Sequence, residues 1–417
     1  MKKVLVKNAG ELVTCKGKAP KTDSDMNELA VINDGSVVIK DGLITKVGKT
    51  EDVLKDINEE EFEVIDADGK PVLPGFVDAH THFVFGGYRA EEYSWRLKGV
   101  PYTEIMERGG GIVNSVESTR KASFEELKED ACKRLDSMIS FGVTTVEGKS
   151  GYGLELETEL KQLKVMKELQ EEHDIDISAT FMGAHAIPSE YEGRSEEFID
   201  YLIDEVMPQV VEEGGTEFCD VFCDQGVFTV DEARRILLKG QELGLKSKLH
   251  ADEIAQVGAA EMAAEIGAVS ADHLLKASDE GIEFMAEKGV IGTLLPITAF
   301  SLKEPYARGR YMIDNGLPVA LATDFNPGSC YSESIPLLIS LATLYMGLTP
   351  EEAITALTIN GAAAIDKDLE IGSIEVGKEG DLVILDAPSY NHLAYHIGVN
   401  IIERVIKNGE VVANHKE

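Results

Sequence analysis

The middle of the chain repeats one pattern eight times, a short β-branched run followed by an amphipathic helical stretch. The runs are GFVDAHTH, GVTTVEGKS, ISATFMGAH, FCDVFCD, SKLHADE, AVSADHL, GVIGTLLP and LPVALATDF. Helical periodicity fills the gaps, for example over 195–213, 230–243 and 278–288. Parallel strands need crossovers long enough to hold a helix, so this alternation predicts a parallel sheet with helices packed outside it. Pro74 to Asp324 spans the roughly 250 residues that an eightfold β/α barrel takes. The predicted class is therefore α/β, a (β/α)8 TIM-type barrel. A doubly wound open sheet of the dinucleotide-binding kind would place a glycine-rich phosphate loop after its first strand, and none follows GFVDAHTH.

Outside this region the pattern changes to short strands and tight turns. Asp41-Gly42 stands between two alternating apolar runs in GSVVIKDGLITKVGKT, and Asn408-Gly409 does the same in IIERVIKNGEVVANHK. Asp-Gly and Asn-Gly suit two-residue hairpin turns because both central residues need positive φ. Neither end is long enough for a good β domain alone, so the two are expected to pair. The expected organisation is 1–70 as the N-terminal part of a small β-sandwich, 71–365 as the barrel, and 366–417 as the C-terminal part of the sandwich.

Charge narrows the partners. With 75 acidic against 40 basic residues the formal charge is −35, which repels phosphate backbones and anionic membrane surfaces. A small-molecule ligand is expected, with no nucleic acid and no membrane, and an anionic ligand would need a local cationic anchor. No N-terminal stretch has the pattern of a secretory leader, so a cytoplasmic location is expected. The five cysteines are scattered, which suits free thiols, and Cys219 and Cys223 read as core thiols on a strand.

Barrel active sites form at the C-terminal ends of the strands. There the first run carries His80 and His82, the third His185, the fifth His250, the sixth His273 and the eighth Asp324. A lone histidine on an apolar strand is usually structural, but five of the nine histidines at one face call for another explanation. Imidazoles with a carboxylate suit zinc or ferrous iron and leave a position for water.

The motifs PGFVDAHTH, LHADE, ADH and ATDFNPGS, in that order, resemble the amidohydrolase superfamily of metal-dependent barrel hydrolases. HTHFVFGGYRAEEYSWRLKG, EGKSGYGL, FMGAHAIP and LHADEI are more narrowly similar to the imidazolonepropionase family. The resemblance implies that His80, His82, His250 and Asp324 hold one divalent transition metal per chain, Zn2+ or Fe2+/Fe3+. It implies that Arg89, Tyr152, His185, Glu253, Asn326, Gly328 and Ser329 contact the substrate, and that Glu253, His273 and Asp324 serve catalysis. The activity implied is hydrolytic opening of the imidazolone ring of 4-imidazolone-5-propanoate to N-formimidoyl-L-glutamate, in histidine degradation. A homodimer is also implied.

The residues themselves bear on the metal count and on the competing readings. Two-metal relatives bridge their ions with a carboxylated lysine or a glutamate on the fourth strand, and FCDVFCDQG has no lysine. Lys149 reads as a packing or loop-fixing residue, and of Asp220 and Asp224 only the latter is expected near the barrel mouth. One metal is expected. Arg89 is a surface residue paired with Glu91 or Glu92 on its local sequence, and a carboxylate anchor on the resemblance. The alternatives are a heterocycle deaminase of the same superfamily, which needs no arginine for a propionate, and a non-catalytic scaffold, which would lack ligands.

Overall fold

In the computed structural model, which describes residues 2–100, 104, 108 and 110–415, eight strands lie side by side in chain order. They are Phe76–Thr81, Val143–Lys149, Asp176–Ala184, Thr216–Cys223, Lys246–Ala251, Ser270–His273, Ile291–Leu294 and Val319–Leu321. Every neighbouring pair is parallel. Closure comes from the segment after the last strand. The Asp324 N–H donates to the His80 carbonyl at 3.0 Å, and the His82 N–H donates to the Phe325 carbonyl at 2.8 Å. The barrel seam therefore carries Asp324 to the end of the first strand.

The strands stop earlier than the runs read from sequence, so His82, His185, Glu253 and Asp324 lie just past their ends, where the backbone is free to turn. Asp324 and His273 both take positive φ, +54° and +73°. The expected helix over 195–213 is continuous but contains a wider turn at Leu202–Val206. Pro208 has no N–H for the carbonyl four residues back, and its ring crowds that carbonyl, which favours the wider winding. Val230–Glu242 starts with a Thr229–Glu232 capping box, and Asp279–Lys288 starts on the Ser278 hydroxyl.

Both termini enter one sheet. Leu382–Leu385 pairs antiparallel with Val72–Pro74 and with Ile402–Lys407, and Val72–Pro74 joins Lys3–Val13. The small domain's sheet thus continues past residue 70. Both expected hairpins form, with φ of +49° and +84° at Asp41 and Gly42, and +51° and +78° at Asn408 and Gly409. Alternation sorts the two faces. Leu382, Ile384 and Ile406 pack with Val4, Val6 and Val37 in the domain's own core. Val383, Leu385 and Val405 join the barrel's apolar cluster. Among the described residues no helix is long and apolar enough to cross a membrane.

Candidate active site and metal centre

Four buried imidazoles and one buried carboxylate converge at the barrel mouth. The His80 and His250 ring centroids are 4.6 Å apart, His82 and His250 5.5 Å, and His250 and His273 5.0 Å. One Asp324 oxygen, Oδ1, lies 3.5 Å from His80 Nε2 and 3.9 Å from His82 Nε2. Its other oxygen accepts from the Thr298 hydroxyl at 2.7 Å. Ligand atoms of His80, His82 and Asp324 lie within 4.8 Å of one another, as do those of His80, His250 and His273.

Two carboxylates behind the rings fix how they face. Asp272 Oδ2 sits 2.6 Å from His80 Nδ1, and Asp220 Oδ1 sits 3.0 Å from His250 Nδ1. A carboxylate there selects the Nδ1–H tautomer and leaves the Nε2 lone pair facing the centre. His80 Nε2 has no hydrogen-bond partner among the described residues and is fully buried. Burial, and then nearby positive groups, hold His80, His82 and His250 well below the usual imidazole range, so all three are neutral. Neutral imidazoles, a carboxylate oxygen and an orphaned buried nitrogen form a donor set that fits a divalent transition ion.

The two carboxylates share one cation. Lys149 Nζ lies 2.7 Å from Asp220 Oδ2, 3.4 Å from Asp272 Oδ2 and 2.8 Å from Glu147 Oε1, all fully buried. Burial alone would lower the lysine's pKa, but Asp220, Glu147 and Asp272 outweigh it and the pKa rises. Lys149 is the last residue of the second strand rather than a loop residue, and it packs inside the barrel. Asp224, near the mouth, is spent on structure: its oxygens accept the backbone N–H groups of Glu253, Ile254 and Ala255.

Those hydrogen bonds hold the turn that presents Glu253. Its carboxylate reaches 3.5 Å from His273 Nδ1, and burial, followed by the charges of Asp324 and Asp224, pushes its pKa up to about 8. His273 is pushed down to about 4, mainly by burial, and neither ring nitrogen has a hydrogen-bond partner among the described residues. His185 stacks on His82 at 5.0 Å, and its Nδ1 donates to the Gly151 carbonyl at 3.0 Å. The Tyr152 ring lies 5.2 Å from His185. It is placed by buried Glu159, whose carboxylate accepts the N–H groups of Gly151, Gly153 and Leu154.

Arg89 makes the local ion pair expected of it, but it is not a surface residue. Its Nε donates to Glu92 Oε2 at 2.9 Å, as the local ion pair predicts, while the side chain is 14% exposed and turned into the mouth. A Cβ on Gly328 would come within 2.1 Å of Arg89 Nη1, so glycine there is what lets the guanidinium in. The adjoining loop is built by Asn326, whose Oδ1 accepts from Gly328 N and Ser329 N, both at 2.8 Å, and whose Nδ2 donates to Ser329 Oγ. Arg89, Gly328 and Ser329 line a cavity of about 470 Å³.

The amidohydrolase family model matches residues 72–412. An imidazolonepropionase from Clostridium tetani is 64% identical over 409 residues, covering 98% of each chain. One from Parabacteroides distasonis is 55% identical with the same coverage. The chain belongs to the imidazolonepropionase family. Among solved structures, E. coli guanine deaminase aligns over 100% of both chains with a TM-score of 0.75 at 16% identity. A zinc-bound adenosine deaminase from Xanthomonas campestris reaches 0.71 at 19%, covering 99% of this chain and 93% of that one. At those identities the likeness shows the fold alone. Membership in this superfamily implies a divalent metal, and the donor set described above meets it.

His80, His82, Tyr152, His185, His250, Glu253, His273 and Asp324 lie around this one mouth, Asn326 donates to the Asp324 carbonyl, and Arg89, Gly328 and Ser329 line the cavity next to it. Sequence reasoning missed the residues that orient them, namely Asp272, Glu147, Glu159 and Thr298, and it undervalued Asp220 and Lys149. Only the DxxxD spacing of FCDVFCD hinted at any of these, and it pointed to Asp224. Cys219 and Cys223 are buried and free, as expected.

Proposed function

We propose that this site opens the imidazolone ring of 4-imidazolone-5-propanoate by hydrolysis, giving N-formimidoyl-L-glutamate. The observation that carries the reading is the Arg89 guanidinium, a forked cation suited to a propionate arm, whose charge acts on Tyr152 and His185 of the site, in a chain 64% identical to an imidazolonepropionase. In this reading His80, His82, His250 and Asp324 hold a single ion, zinc or iron. Bound there, the ion brings the pKa of a water from roughly 15.7 toward ~7 and polarises the ring carbonyl.

The remaining steps belong to the protein. Asp324, held through Oδ2 by Thr298, takes the water proton on Oδ1. The water oxygen bonds to the ring carbonyl carbon while His273 steadies the charge that develops on oxygen. The C–N bond then breaks, its electrons stay on nitrogen, and Glu253, kept protonated by burial, delivers the proton that nitrogen needs. Arg89 fixes the propionate, and Tyr152, His185, Asn326, Gly328 and Ser329 enclose the ring. The homodimeric state and the cytoplasmic location belong to this proposal as well.

The test pairs metal analysis of the purified protein with an ultraviolet assay for loss of imidazolonepropanoate. One equivalent of zinc or iron per chain, with turnover that tracks its content, is the expected result. A ring lacking the propionate arm turned over equally well would replace this reading with deamination or another ring hydrolysis.

A further inference from the structure

Every arginine of the chain except one has an acceptor for its guanidinium among the described residues. Arg89 has Glu92, Arg120 has Glu190, Arg134 has the Phe83 and Phe85 carbonyls, and Arg310 has Glu352. Arg108, Arg194, Arg234, Arg235, Arg308 and Arg404 have carboxylates as well. Arg96 has none, although the chain carries 75 acidic residues. It lies over the Tyr93 ring at 5.2 Å and lines the same 470 Å³ cavity as Arg89, Gly328 and Ser329. Burial and then the Arg89 charge push its pKa down, against the smaller opposing pull of Tyr93 and Glu92, as expected of a partly desolvated cation beside another cation.

Helix geometry explains the pairing. Arg89 is the N-cap of Ala90–Leu97, and Arg96 follows seven residues later, roughly two turns on and on the same face. Helical side chains lean toward the N-terminus, so Arg96 leans back toward Arg89. Glu92 pairs with Arg89 through Nε and reaches Arg96 only as a longer-range charge, so the two guanidinium groups lining one cavity still repel each other and favour added anionic charge between them.

We propose that Arg96 and Arg89 together form a dicarboxylate subsite at the mouth, with Arg89 taking one carboxylate and Arg96 the second. This rests on the proposed reaction for its biological ligand. Hydrolysis turns a substrate with one carboxylate into a product with two, separated by three carbon atoms, so the subsite favours product over substrate and acts as a station on the way out. Glutarate has the same spacing and no reacting ring.

The test is isothermal titration of the metal-loaded protein with glutarate and with its monoamide, glutaramate, at fixed ionic strength. Wild-type protein should bind glutarate at least ~10-fold more tightly than glutaramate, as expected for one added charged hydrogen-bond pair. Arg96→Met should bring the ratio close to one with metal content unchanged, and Arg96→Lys should keep part of it. In turnover, Arg96→Met should weaken inhibition by the product about 10-fold while KM for the substrate changes less than about threefold. A ratio near one in the wild type, or an undiminished ratio in Arg96→Met, overturns the subsite. Lack of turnover of imidazolonepropanoate would overturn the reaction instead, because glutarate binding does not depend on it.

Discussion

Two buried lysines in this molecule are each ringed by carboxylates, and the two clusters do different work. In the barrel, Lys149 bridges Glu147, Asp220 and Asp272. Where the small domain meets the barrel, Lys407 bridges Asp176, Glu379 and Asp381 at 2.5, 2.8 and 2.7 Å. Composition is the same, but connectivity is not. The carboxylates around Lys149 pass on to the Nδ1 atoms of His80 and His250, so that cluster sets tautomers at the centre. The Asp381 carboxylate around Lys407 ends on a backbone N–H, that of Asn408, and so fastens a hairpin. A buried ion cluster is therefore functional or structural according to where its outermost hydrogen bonds lead.

The substitutions that probe this difference are ordered by expected effect on turnover. Asp324→Ala removes a carboxylate of the centre itself, and metal content and activity should both fall to background. Full activity in that variant, measured with metal analysis, would break the assignment of the seam residue to the site. Glu253→Gln should retain the metal and lose about 10²–10⁴-fold in kcat. Because burial holds Glu253 protonated up to about pH 8, wild-type kcat should fall as pH rises through or below that value, a positive ion nearby pulling the limb down. Glu253→Gln should flatten that limb in a pH–rate profile.

Asp272→Asn leaves the His80 ring without its carboxylate, and metal affinity should drop roughly 10- to 100-fold in a chelator competition titration. Arg89→Met should raise KM roughly 10- to 100-fold at constant metal content, the loss of a charged hydrogen bond of about 1.5–3 kcal/mol, with Arg89→Lys in between. Lys407→Met completes the comparison. Breaking a buried ion cluster costs about 3–5 kcal/mol of stability, yet kcat/KM and metal content of the folded fraction should match wild type. If Lys407→Met lost metal as Asp272→Asn does, the distinction drawn by connectivity would fail.

Much of this was legible in the chain itself. The eight strand runs, the helical stretches between them, the two positive-φ hairpins at Asp41-Gly42 and Asn408-Gly409 and the histidines at the strand ends all depend on neighbours a few residues away. Periodicity and turn dihedrals are local physics, so pattern is enough to find them. Arg89 was legible in part: its partner Glu92 is three residues on, whereas the Gly328 gap it fills is not readable from its own neighbourhood.

The sequence alone determined an α/β barrel with a two-ended β domain, the imidazoles and carboxylate of the centre, and the family to which they belong. Tertiary structure decided which of 75 acidic residues serve those imidazoles. Asp272 meets His80 across 192 residues and Asp220 meets His250 across 30, and no local pattern separates Asp272 in SADH from a solvated aspartate. Barrel closure puts Asp324 beside His80 and His82, and helix Leu156–Glu172 brings Glu159 under the Tyr152 loop. Ligand types follow from local strand periodicity, but tautomer, orientation and protonation follow from desolvation and from contacts made only when distant strands close on one another.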